Sequence, residues 1–124
     1  MTGEALREAI RALLISHPEI SPSKAGHNVH AERYRTSDGA NIGFEPERTR
    51  HQNFFVEARS VRLNCLADIP HHFYSAADFG VSKPNHNLFH PEAFGVVDIV
   101  RFEIRELWQA VRVIAEVAGV RPRW

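Results

Sequence analysis

Seven of the chain's eight histidines, His27, His30, His51, His71, His72, His86 and His90, fall in one stretch of sequence. Imidazole changes charge closer to neutral pH than any other side chain and is the commonest metal ligand. Proton transfer, metal binding and pH-gated contact are therefore the chemistries this stretch could carry. His27-x2-His30 and His86-x3-His90 each set two imidazoles close together. A catalytic zinc site takes three protein ligands and one open position, and Asp78, His86 and His90 are the candidate set, with His71 or His72 able to join. Pro84, Asn85 and Pro91 place the second pair in a loop, and no H-E-x-x-H or paired C-x-x-C accompanies it. The plainer alternative is a set of surface or hydrogen-bonded histidines. No cofactor is specified; a divalent metal stays open.

The basic residues form a second constellation. Thirteen of the 15 are arginine, with Lys24 and Lys83 the exceptions. Arginine suits bidentate contact with phosphate, carboxylate or a guanine edge, although codon bias in a GC-rich genome gives the same preference. Arg33, Arg35, Arg48, Arg50, His51, Arg59 and Arg62 lie close in sequence, with Tyr34 among them. Tyr34, Phe79 and Phe89 are candidates for stacking on bases, Asn85 and Asn87 for amide contacts, and Lys83 for a phosphate. Arg59 and Arg62, three apart, project together if helical. Against this, Glu32, Asp38, Glu45, Glu47 and Glu57 share the same segments. If acids and bases alternate in space, the surface reduces to weak ion pairs.

Other chemistries find less support. Asp38 with Glu45 and Glu47 loosely resembles a magnesium-holding carboxylate set, but Asp38 has an ordinary role in forming a turn. Cys65 sits in Val61-Arg62-Leu63-Asn64-Cys65-Leu66, where a small buried hydrophobe is expected. Its flanks match no nucleophile signature. A single cysteine excludes an internal disulfide. Gly39-x3-Gly43 lacks the lysine of a phosphate-cradling loop, which excludes tight dinucleotide binding through a standard fingerprint.

The 124 residues make one domain's worth, with 44% hydrophobic and 24% charged residues, an ordinary globular mixture. A formal net charge of +0 leaves no global field for a polyanion or an anionic membrane, though a local patch remains possible. Protonating the histidines would take the charge toward +8, so any polyanion binding should strengthen as pH falls toward about 6. Met1 to Ala5 has neither a basic n-region nor an apolar h-region, so no secretory signal is expected there. No segment approaches the length of a membrane span. A cytoplasmic location is the expectation.

The elements that must position these residues follow from periodicity. Residues 3–15 read as a helix, with Leu6, Ala9, Ile10, Leu13 and Leu14 on one face, Thr2 as cap and Ser16-His17-Pro18 as stop. Residues 19–27 read as a connector. A hairpin spans 29–45 around Asp38-Gly39. Neither face of its first strand is purely apolar, so one side is expected in solvent. A central strand follows at 53–57, then a short helix at 61–67 capped by Ser60 and a strand at 72–75. Residues 76–95 form a long loop of the kind usually tied to function, and a strand follows at 96–104. The final helix, 105–118, has a stripe of Leu107, Trp108, Val111, Ile114, Ala115 and Ala118, with Gly119 as C-terminal cap.

The order predicts a single α+β domain: a mixed or antiparallel sheet of about five strands with terminal helices and a short middle helix packed on it. Small size and the lack of a convergent acid–base–nucleophile set favour a binding module over an enzyme. The leading expectation is contact with nucleic acid through the arginine- and aromatic-bearing hairpin and the 76–95 loop, as in a phage, mobile-element or host-defence component. The second is a protein partner held by the same loop, with Phe79, Phe89 and Trp124 as anchors. The third is a metal-dependent hydrolase or nuclease built on the histidines.

Overall fold

The period-2 and period-3.6 patterns become a two-helix, six-strand domain. The computed structural model describes residues 1–119. Helix α1 (Gly3–Ser16) leads into strands β1 (Ile20–Pro22), β2 (Glu32–Thr36), β3 (Asn41–Phe44), β4 (Gln52–Glu57), β5 (His71–Tyr74) and β6 (Ile99–Ile104), and helix α2 (Leu107–Ala118) closes the chain. All strand pairs are antiparallel, in the order β1-β2-β3-β4-β6-β5. The α+β class with terminal helices holds; among the described residues the strands number six, and none pairs in parallel. The added strand is β1, three residues at one edge, too short for any periodicity to reveal.

Both helices lie on one sheet face. Thr2 Oγ1 accepts from the Ala5 amide at 3.0 Å and caps α1, whose Leu6, Ile10 and Leu14 are buried. They meet Tyr34, Ile42, Phe44, Phe54, Val56, Val100, Phe102 and Ile104 from the strands in one core. Each such burial contributes roughly 1.5–3 kcal/mol. Helix α2 is rotated from its expected stripe. Gln109, Ala110, Val113 and Ile114 point inward, whereas Trp108 and Val111 are 46% and 45% exposed. The cap explains the phase: the Gln109 side-chain carbonyl accepts from the Arg105 and Glu106 amides, which holds this polar residue against the protein. Gly119 follows with φ −67° and ψ 153°, extended and not left-handed.

Between β4 and β5 the expected middle helix is two 3₁₀ turns, Ala58–Ser60 and Leu63–Leu66. Leu66 and Ile69 are buried, but Cys65 is exposed. The tighter turn directs it outward, against the expectation of a buried thiol. The hairpin turn is as read, with Gly39 at φ +90°, but β2 begins only at Glu32. Before it, Asn28 Oδ1 accepts from the His30 and Ala31 amides and makes a separate turn.

The other sheet face corrects a larger expectation. The hairpin does not leave this side in solvent, because the segment after β5 folds across it. Leu88 and Phe94 from that segment join Ala31, Phe55 and Ile99 in a second buried cluster, with Tyr74, Phe79, Phe89 and Val97 packed around it. Gly43 makes the approach possible: a Cβ there would collide with the Leu88 side chain and stand 3.2 Å from the Phe94 ring. Among the described residues, no helix is long and apolar enough to cross a membrane.

Candidate functional site

The structure scatters most of the residues singled out as a recognition surface. Tyr34 is 1% exposed on the helix side and cannot stack on a base. Its hydroxyl donates to Glu32 at 2.6 Å, and burial together with that bond pushes the phenol well above its ordinary pKa. Burial also works against the Glu32 carboxylate, but hydrogen bonds from Arg11 and Tyr34 outweigh it and hold the group below its usual range. Arg33 is 7% exposed on the opposite face. It donates to the carbonyls of Gly26 at 2.8 Å, Ala25 at 3.0 Å and Asn87 at 3.3 Å. Arg33 is thus a structural staple for irregular backbone, not a contact residue.

Arg59 and Arg62 do not project together, because the helix that would align them is absent. Arg59 donates to Glu57 at 2.8 Å and Arg62 to Glu116 on α2 at 2.8 Å. Arg35 is exposed at the far end of the hairpin, its guanidinium beside Gly39. Phe79 and Phe89 pack edge to face, 5.5 Å between centroids, and are partly buried. Asn85 and Asn87 bond to one another and to backbone. Asp78, His86 and His90 are not brought together. Among the described residues, no three His, Cys, Asp or Glu side chains gather as a metal ion would require. Trp124 lies outside the described residues.

What the fold does assemble is a recess on the loop-bearing face, about 450 Å³ and lined by Glu45, Arg48, Phe55, Tyr74, Lys83, Pro84, Asn85, His86 and Arg101. Each cation comes from a different element. Arg101 stands on β6 in a row that crosses the sheet through Arg33, Gly43, Phe55, Arg101 and His72. Arg48 belongs to the turn from β3 to β4. That turn is pinned by the fully buried Gln52, whose amide donates to the Arg48 carbonyl at 2.9 Å and the Gly3 carbonyl at 3.0 Å. Lys83 comes from the crossing segment, its ammonium 5.0 Å from the centre of the Phe89 ring.

The one carboxylate of the recess is already engaged. Glu45 accepts from Asn53 Nδ2 at 2.6 Å and Asn85 Nδ2 at 3.0 Å, with the Arg48 Nε at 3.6 Å. Asn85 also donates to the His30 carbonyl at 3.0 Å, so Glu45 and Asn85 tie the crossing segment to the hairpin. Arg101 donates to the Tyr74 hydroxyl at 3.1 Å. Neither Arg101 nor Lys83 has an acidic partner among the described residues. Three cations against one carboxylate among the lining residues leave two positive charges in excess. A molecule with no net charge has concentrated positive potential in one place.

A second recess, about 500 Å³, lies at the opposite end of β3. It is lined by Glu19, Asp38, Glu57 and Arg59 among others and runs up to Gly119, the last described residue. Its charge is of the other sign.

The sequence pointed to Arg48, Lys83 and Asn85, but not to Arg101 or Tyr74 as site residues. Arg101 looked like the solvent side of a strand, since Val100, Phe102 and Ile104 alternate with it. The usable signal was Gly43, a glycine inside a strand, which marks a close approach by another part of the chain. No family model, no curated protein and no solved structure matches this chain.

Proposed function

We propose that the protein is a non-enzymatic binding module that contacts nucleic acid through its loop-bearing face, with Arg48, Lys83 and Arg101 as the phosphate contacts. The observation that carries this reading is the convergence of three cations from separate elements on a recess whose single carboxylate is already satisfied. The leading contact set thereby moves from the hairpin to the recess, while the crossing segment keeps its part. A protein partner is the second reading, favoured by Trp108 and Val111, three apart and exposed on α2.

Anisotropy of labelled single- and double-stranded DNA and RNA tests the first reading. Saturable binding should weaken steeply between about 50 and 200 mM salt, as phosphate-driven association does. Lys83→Gln with Arg101→Gln should reduce affinity by about tenfold or more and flatten the salt slope by about two. Arg59→Gln with Arg62→Gln should leave both unchanged. Absence of binding at the lower salt, or equal damage from the two pairs, would overturn it in favour of the protein partner.

A further inference from the structure

We infer that the Arg48–Lys83–Arg101 recess recognises a terminal phosphate monoester, the phosphorylated end of a nucleic-acid strand, and not the internal diester backbone. This rests on the proposed contact with nucleic acid and narrows it to one chemical group. The first argument is charge. A phosphate monoester carries roughly −1.5 to −2 at neutral pH on three acceptor oxygens, whereas each internal diester carries a single negative charge. The recess holds two positive charges in excess, so a monoester balances it and a diester leaves it half-compensated.

The second argument is shape. At about 450 Å³ the recess falls within the roughly 300–1,000 Å³ of small-ligand sites. That is room for one nucleotide.

The third argument is the rest of the lining. Tyr74 stands beside the cations, its ring 5.9 Å from the Arg101 guanidinium and 4.4 Å from His72, with Phe55 below. An aromatic flank suits the sugar and base that follow the phosphate. Arg101 and Arg48 can each offer paired N–H donors to phosphate oxygens, while Lys83, on the exposed segment, adds an ammonium. Glu45 is held in place by Asn53 and Asn85 and pairs with Arg48 alone among the three cations, which leaves Lys83 and Arg101 for the phosphate.

The test compares three labelled single-stranded oligonucleotides of one sequence, bearing a 5′-phosphate, a 3′-phosphate or hydroxyls at both ends, against the full-length protein. One phosphorylated form should bind roughly tenfold more tightly than the dihydroxyl form, the gain expected of charge-assisted contacts to the added group. Which form binds better assigns the end. The unlabelled nucleoside monophosphate with its phosphate at that end should compete, and phosphoserine should not. Arg101→Gln and, separately, Lys83→Gln should erase the preference, while Arg62→Gln should keep it. Lys83 lies on the exposed segment, so its variant reads out the site even if Arg101→Gln were to impair folding.

Equal affinity for all three oligonucleotides would overturn this inference and leave the nucleic-acid reading standing. Binding of none would overturn both. Competition by phosphoserine as effective as by the nucleotide would reassign the recess to phosphorylated protein.

Discussion

The two faces of the sheet are covered in different ways, and the residues beneath differ accordingly. Under the helices the strands present mainly apolar residues, Ile42, Phe44, Phe54, Val56, Val100, Phe102 and Ile104, with Glu32 and Gln52 as buried polar exceptions. Under the crossing segment they present Arg33, Asn53 and Glu57, polar yet 7%, 3% and 2% exposed. A helix satisfies its own backbone hydrogen bonds, so the surface beneath it can be hydrocarbon. An irregular segment leaves carbonyls and amides in need of partners, and the sheet must supply them. Arg33 serves Ala25, Gly26 and Asn87, Asn41 serves Ala93, and Ser23 serves Glu92. Buried polar residues on a strand can thus be the signature of a coil packed over it.

The comparison can be broken first by removing apolar bulk on each side. Phe54→Ala should cost about 4 kcal/mol of global stability. Leu88→Ala should cost about half as much, because the crossing segment can shift to fill the gap. Chemical denaturation gives the two values, and equal losses would mean that the faces are equally rigid. Hydrogen exchange should quicken over 85–94 in the Leu88 variant while β4 and β6 stay protected.

A polar truncation asks whether the coil depends on its staples. Arg33→Met should destabilise by about 2–3 kcal/mol, since it leaves three carbonyls without their donor, and it should loosen the turn before β2 together with the crossing segment. A change below the error of the denaturation midpoint would count against the argument made for this face.

The smallest effect concerns the charged cluster of Arg11 and Glu32 on the helix side. Arg11 holds Glu32 ionised, its carboxyl below the ordinary 4.5. A depressed carboxyl contributes stability that is present above its unfolded value and lost as pH falls through its folded value. Arg11→Gln should therefore cost about 2 kcal/mol at pH 7, and thermal melts should show the gap to wild type narrowing as pH falls below about 4.5. A gap independent of pH would show that the pair contributes through packing alone.

How much of this was legible in the sequence follows the same division. The helix face was readable because Leu6, Ile10 and Leu14 and then Val100, Phe102 and Ile104 repeat at the period of their elements. The phase of α2 was not, because the Gln109 cap outweighed the apolar count that favoured Trp108 and Val111. On the other face, the alternation of Arg33 and Arg35 reads the same whether water or a coil covers it. The recess depends on three elements distant in sequence, and no local pattern joins Arg48, Lys83 and Arg101. Lys83 and Asn85 were found because they sit in the long loop; Arg101 was missed because it sits in a regular strand.

The strand order also bears on how the chain comes together in time. β6 lies between β4 and β5, and both neighbours precede it in the chain. β4 waits with one open edge, and β5 has no sheet partner at all, until Ile99–Ile104 arrives. That strand is the last of the six in chain order. The sheet cannot be completed hairpin by hairpin as synthesis proceeds. Its centre closes only when β6 docks, and because Arg101 stands on that strand, the basic recess is incomplete without it.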